Sequence, residues 1–143
     1  MDTLIISCCA RKLGHAAPAI EIYQNRAWKY VRENLADRFN VMALSAEHSL
    51  VPADRILEPY DRKMDERRAS KIAEEWHQGV RPCSMLSAWN DTGSARFYVY
   101  GGRVYRDLVK FWCASMPKAG WECIEVIGQG RGCGDHYKAL TEL

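Results

Sequence analysis

The chain has 143 residues, 48% of them hydrophobic and 27% charged, a globular mixture that excludes a disordered or collagen-like polymer. A domain of this length buries roughly 68–70% of the surface its unfolded chain exposes, so it needs no disulfide or metal staple. Twenty basic residues against 18 acidic ones leave a net charge of +2, far from the basic excess of a protein that coats nucleic acid, although a local patch still binds phosphates on a nearly neutral molecule.

Four short apolar segments read as strands: residues 3–7, 41–44, 97–100 and 123–127. Their apolar residues run continuously rather than alternating, as in parallel strands covered on both faces. Helical patterns lie between them. From 19 to 35, Ile20, Tyr23, Ala27, Tyr30, Val31 and Leu35 recur at three- and four-residue steps. Asp65 caps a predicted helix running to about residue 79, with Ile72, Ala73, Trp76 and Val80 inward. Val104, Tyr105, Leu108, Val109 and Trp112 mark a third helix ended by Pro117, and a short fourth begins near Asp135. Residues 82–95, rich in Ser, Asn, Asp and Gly, read as a variable loop. Strand–helix alternation four times over predicts one α/β domain, a right-handed three-layer sandwich around a small, mostly parallel four-stranded sheet.

The six cysteines (Cys8, Cys9, Cys83, Cys113, Cys123 and Cys133) contain no C-x-x-C pair, which argues against a zinc ribbon or a thioredoxin motif. The amino terminus lacks a basic region and a long apolar run, and no apolar stretch approaches the length of a membrane span. Free thiols in a reducing cytoplasm, with no membrane partner, are the expectation.

In an open parallel sheet, ligands bind beyond the carboxyl ends of the strands. After the first strand stand Ser7, Cys8, Cys9, Arg11 and Lys12, a set whose amides and ammonium suit a phosphate. No histidine can be assigned as base to Cys8 or Cys9, which argues against a cysteine nucleophile. After the second strand stand Ser45, Glu47 and His48. Pro59 then holds Glu58 extended and presents Tyr60 and Asp61 on a constrained turn; Tyr60 is placed to stack on a base and Asp61 to act as a carboxylate base or cation stabiliser. The bland alternative pairs Asp61 with Arg62 on the surface. Gly101 and Gly102 after the third strand permit close backbone approach to a ligand, followed by Arg103 and Tyr105. After the fourth strand, Gly128, Gln129, Gly130, Arg131, Gly132 and Gly134 suggest a loop hugging a ligand. The Lys-Ser/Thr of a P-loop is absent, and a dinucleotide fingerprint belongs after the first strand, so neither ATP nor NAD is indicated. Neither a metal nor an organic cofactor has a motif in the chain. Trp28, Trp76 and Trp112 read as core, and Trp89 as an exposed contact residue.

The ordered set S-C-C-A-R-K, A-x-E-I-Y, L-S-A-E-H-S-L-V-P-A-D-R-I-L-E-P-Y-D-R-K-M and Y-G-G-R-V-Y with a glycine-rich tail resembles a phage and bacterial domain allied to the YaaA peroxide-response proteins. The likeness spans nearly the whole chain and is most specific over 44–64. Ser49 stands where glycine is usual. The resemblance implies an architecture similar to uracil-DNA-glycosylase-like sandwiches and an association with nucleobases, with cleavage or exchange of the N-glycosidic bond, and with DNA.

On that basis three functions are weighed. The first is a DNA glycosylase excising a base, a modified one included, as in defence against phage with modified DNA. Asp61 would sit near the sugar, Ser45, Glu47 and His48 among the catalytic groups, Tyr23 or Tyr60 against the base, and Lys12, Arg103 and Arg131 on phosphates. The second is a non-catalytic DNA-binding stress protein, using the same cations without the carboxylate. The third is a nucleoside hydrolase or deoxyribosyltransferase acting on free nucleotides.

Overall fold

Leu4, Ile5 and Ile6 are all buried, and the pleat sends them to opposite sides of one sheet. Leu4 and Ile6 join one apolar cluster and Ile5 the other, so the strand they form, β1 (Thr3–Ser7), is covered on both faces. Each such side chain contributes roughly 1.5–3 kcal/mol relative to exposure. The computed structural model describes residues 2–78, 96–115, 120–130 and 132–143.

After β1 come β2 (Ala17–Pro18), α1 (Ala19–Ile22) and α2 (Arg26–Tyr30), which continues as a π-helical turn over Val31–Leu35. Then follow β3 (Asn40–Ser45), β4 (Ser49–Pro52), β5 (Ile56–Leu57), α3 (Glu66–His77), β6 (Arg96–Tyr100), α4 (Arg103–Ala114), β7 (Glu122–Glu125) and α5 (Cys133–Thr141). Among the described residues the main sheet has five strands in the order β4-β3-β1-β6-β7, with β2 and β5 forming a separate antiparallel pair. β1 runs parallel to β3 and β6, and β6 parallel to β7; only β4 is antiparallel. One cluster joins Leu4, Ile6, Val41 and Ala43 to Ala19, Ile22, Trp28, Val31, Leu35 and Leu140. The other joins Ile5, Met42, Leu44, Phe97 and Val99 to Ile72, Trp76, Leu108, Val109 and Trp112. Helices therefore lie on both faces of a mostly parallel sheet.

The chain departs from expectation in three places. The sheet has five strands rather than four, because Ser49–Pro52 folds back onto β3 as an edge strand. That hairpin turns with Ser49 at φ 65°, a left-handed conformation that few non-glycine residues adopt, and it hides a strand of only four residues ending in proline. The helix expected over 19–35 is broken at Tyr23, which is extended and bridges antiparallel to Lys12. Asn25 restarts it by accepting the Trp28 amide at 2.9 Å. Arg32 donates to the Ile20 and Tyr23 carbonyls at 2.9 and 3.0 Å, occupying acceptors that the break leaves open. The fourth strand stops at Glu125 rather than 127. Asp65 caps α3 as its sequence suggests, accepting the Arg68 amide at 2.7 Å. Val80, Pro117 and the loop 82–95 with Trp89 lie outside the described residues. Among the described residues no helix is long and apolar enough to cross a membrane.

Candidate functional site

The chain leaves β1 toward β3 on one side and later returns to β6 on the other, so the carboxyl ends of these three strands flank a topological switch point. The strand ends are bound tightly there. The Cys8 amide donates to the Leu44 carbonyl at 3.0 Å, and the Trp28 indole N–H to the Ser7 carbonyl at 2.9 Å. Gly101 packs directly on Ser7: a Cβ at 101 would stand 2.7 Å from the Ser7 Cβ and 2.8 Å from its Oγ. This close approach, rather than a ligand, accounts for the first glycine of the pair.

The polar centre is a chain of hydroxyls. Ser45 Oγ accepts the amides of Glu47 and His48 at 3.1 and 2.9 Å, which fills its acceptor positions. Its own proton therefore goes to the Tyr60 hydroxyl at 2.7 Å. Tyr60 and Tyr23 hydroxyls lie 2.7 Å apart, and we assign the Tyr60 proton to that bond, which leaves the Tyr23 proton at the end of the relay. Arg68 fixes the turn beneath it by donating to the Ala46 and Glu47 carbonyls at 2.6 and 3.2 Å. Beside the relay the Cys8 thiol meets the Tyr105 hydroxyl at 3.1 Å.

Lys12 Nζ sits 4.3 Å from the Tyr60 ring centre and 5.9 Å from that of Tyr23. Burial pushes the Tyr23 phenol up to about 12, and burial with the neighbouring Cys8 raises Tyr60 and Tyr105 as well. Burial also raises the Cys9 thiol. The cluster is thus a set of neutral hydroxyls bonded to one another with one cation over it, in which the Tyr23 proton and the Lys12 ammonium are what is left to meet an oxyanion or a carbonyl-bearing ring.

Ser7, Cys8, Lys12, Tyr23, Ser45, His48, Tyr60, Gly101 and Tyr105 come together at this edge. The remaining candidates are placed differently. Tyr23 is fully buried and stacked on Trp28 at 5.1 Å, and Tyr60 has Lys12 on its ring and His48 edge-on at 5.2 Å, so in this conformation neither ring offers an open face to a base. Glu47 forms an ion pair with Arg62 at 3.3 Å. Asp61, one residue beyond Tyr60, is exposed and bonded to neither Arg62 nor any other described residue. Gly102 precedes α4 as its cap, and Arg103 pairs with Asp107 at 3.6 Å. Arg103 and Asp107 line a feature separate from the cluster, a cavity of about 810 Å³ between α3 and α4 that also touches Ala69, Ala73, Leu108 and Phe111.

Gln129 and Gly130 are exposed beyond β7, with Gly130 against the Asp135 carboxylate, and Arg131 lies outside the described residues. The loop is held instead by His136, whose Nδ1 accepts the Gly128 amide at 3.0 Å. Sequence reading missed His136 and Arg68. Arg68 had a faint signal, three residues after the capping Asp65, but its reach to the Ser45 turn depends on β4 folding back.

Among solved structures the chain is similar to the crystal structure of AF0587, a protein of unknown function, at 14% identity and a TM-score of 0.53. The match covers 99% of this chain and 43% of that one, so the chain spans less than half the length of that protein, and the likeness is one of fold. No match is found among curated proteins. Residues 3–142 match a family of unknown function, DUF6884, and the chain belongs to that family.

Proposed function

We propose that the chain is an N-glycosidase that excises a base, a modified one by preference, from DNA, on a uracil-DNA-glycosylase-like sandwich related to the YaaA group. The observation that carries this reading is the Ser45–Tyr60–Tyr23 relay under Lys12, followed in the chain by the exposed carboxylate of Asp61. Cleavage of the bond between C1′ and the base nitrogen sends the electron pair to the base and leaves an oxocarbenium ion on the sugar. The Tyr23 proton at the end of the relay and the Lys12 ammonium offset the charge developing on the base. Asp61 offsets the charge on the sugar and takes a proton from the water that adds at C1′. The base must leave the helical stack to reach these groups, and Lys12 must swing from the Tyr60 ring to admit it.

Purified protein is incubated with single-stranded and duplex DNA carrying normal and modified bases, followed by alkaline cleavage and mass spectrometry of released bases. Base release that Asp61→Asn abolishes while DNA binding persists is the expected result. Binding without release across the panel overturns it. A second reading, hydrolysis of free nucleosides, draws on the pairing of Arg62 with Glu47 and Arg103 with Asp107, which leaves fewer open cations for a phosphate backbone. Release from nucleosides and not from DNA would select it.

A further inference from the structure

Among the described residues Arg62, Arg96, Arg103, Arg106 and Lys110 each stand in an ion pair with a carboxylate. Arg26, the first residue of α2, is exposed and stands in none. Its guanidinium lies 4.2 Å from the ring centre of Tyr137 on α5 and hydrogen-bonds to no described residue. Tyr137 is held in turn edge-on by Tyr30, with ring centres 6.2 Å apart. A guanidinium seated over a ring in this way keeps its N–H donors for a bidentate oxyanion partner. We propose that Arg26, seated on Tyr137, is a phosphate-binding residue that holds the backbone of the DNA strand whose base enters the Ser45–Tyr60–Tyr23 site. The inference rests on the glycosidase reading and adds to it where the strand lies.

The chain around Tyr23 sets Arg26 beside the relay. Lys12 bridges antiparallel to Tyr23, the Gln24 amide donates to the Arg11 carbonyl at 2.9 Å, and α2 starts two residues later. Exposed Arg11 lies on the segment facing Gln24, and exposed Lys29 lies one turn along α2 from Arg26; neither is in an ion pair among the described residues. Glu33, one turn beyond Lys29 and also exposed, ends the basic strip on that helix. Trp28 and Val31 pack this helix on the face of the sheet that Leu4 and Ile6 line, whereas α3, with exposed Arg67 and Lys71, packs on the other. A row of unpaired cations leading to a site for one base suits a phosphodiester strand better than a single free phosphate. Arg26 binds and orients the strand and takes no part in the bond cleavage.

Binding of a short unmodified duplex, and of its single strand, is measured by fluorescence anisotropy over a series of salt concentrations. The slope of log affinity against log salt is expected to flatten in Arg26→Gln by about 0.9 with duplex and about 0.7 with single strand. Arg26→Lys keeps the slope and binds more weakly, because the planar fork is lost. Lys71→Gln, on the opposite face, matches wild type in both. A measurement on wild type needs no variant to fold: DNA is expected to protect Arg26, and not Arg67, from phenylglyoxal, as mapped by mass spectrometry. An unchanged slope in Arg26→Gln, an equal flattening in Lys71→Gln, or unprotected Arg26 overturns the proposal, as does wild type that binds neither form of DNA. Protection of Arg26 by deoxynucleoside monophosphates but not by DNA also overturns it, in favour of a free nucleotide. Base release that continues while the Arg26→Gln slope stays at the wild-type value removes the phosphate site alone. The expected slopes without any base release remove the glycosidase reading alone.

Discussion

Replacing Ser49 separates two effects that oppose each other at one residue. Ser49 is the sole non-glycine position at positive φ among the described residues, at 65°, and its Oγ accepts the Trp76 indole N–H at 2.8 Å in a buried bond. Ser49→Ala keeps the Cβ in the left-handed region and leaves a buried indole donor unmatched, a loss of about 1–3 kcal/mol. Ser49→Gly loses the same bond but releases about 1–2 kcal/mol of backbone strain, part of which the greater freedom of glycine in the unfolded chain offsets. Glycine is therefore expected to be the more stable variant by about 1 kcal/mol. With an unfolding entropy of about 2.1 cal/mol/K per residue, 1 kcal/mol corresponds to about 3 °C in Tm for a domain of this size. Urea and thermal denaturation followed by circular dichroism measure both variants. In a Trp76→Phe background, where the donor is gone, Ser49→Ala is expected to cost about 1 kcal/mol less than in wild type. An alanine variant as stable as the glycine one, or an unchanged cost in the Trp76→Phe background, would refute the reasoning.

Tyr60→Phe removes the hydroxyl between Ser45 and Tyr23 and is expected to cost about 1–3 kcal/mol in urea denaturation; if the relay serves base release, kcat falls by about 10²–10³-fold. Alkaline pH is expected to destabilise the chain through its buried phenols. A folded tyrosine pKa raised above the unfolded value of about 10 means the folded state binds more protons there. The contribution is full below pH of about 10 and, for Tyr23, is lost as pH rises through about 12, with Tyr60 and Tyr105 extending the loss further. Ultraviolet titration should show these three ionising only with unfolding, and ready phenolate formation at all three in folded protein would contradict it. Gly101→Ala drives a Cβ into Ser7 and is expected to lower stability by about 1–3 kcal/mol; Ser7→Gly in the same chain should recover part of the loss, as measured by Tm.

The parallel core was legible because Leu4–Ile6, Val41–Leu44 and Phe97–Tyr100 carry enough apolar residues to be buried on both sides. The caps were legible where one side chain decides them, as at Asp65. What escaped depends on contacts across the fold. β4 is a strand because Ser49 turns the chain back and Trp76, 27 residues on, meets its hydroxyl. The break at Tyr23 follows from its pairing with Lys12 and from Arg32 reaching back to two carbonyls, none of which a helical spacing reports. At the site, the strand-end rule brought Ser7, Cys8, Ser45, Tyr60, Gly101 and Tyr105 to one edge. It did not show which tyrosine faces are covered, nor that Arg103 turns toward Asp107 and the groove between α3 and α4.

The two borders of the sheet bear on how copies of the chain behave in concentrated solution. On one border the Ala53 amide points inward to Val41, so the nitrogen of Pro52 faces outward and carries no hydrogen to give an incoming strand. On the other, the exposed Glu122 opens the four residues of β7, and a second chain aligning there in the same direction would bring its own Glu122 carboxylate against it. A missing donor on one side and like charge on the other oppose strand-by-strand growth, and with it the route from a folded monomer to a fibril.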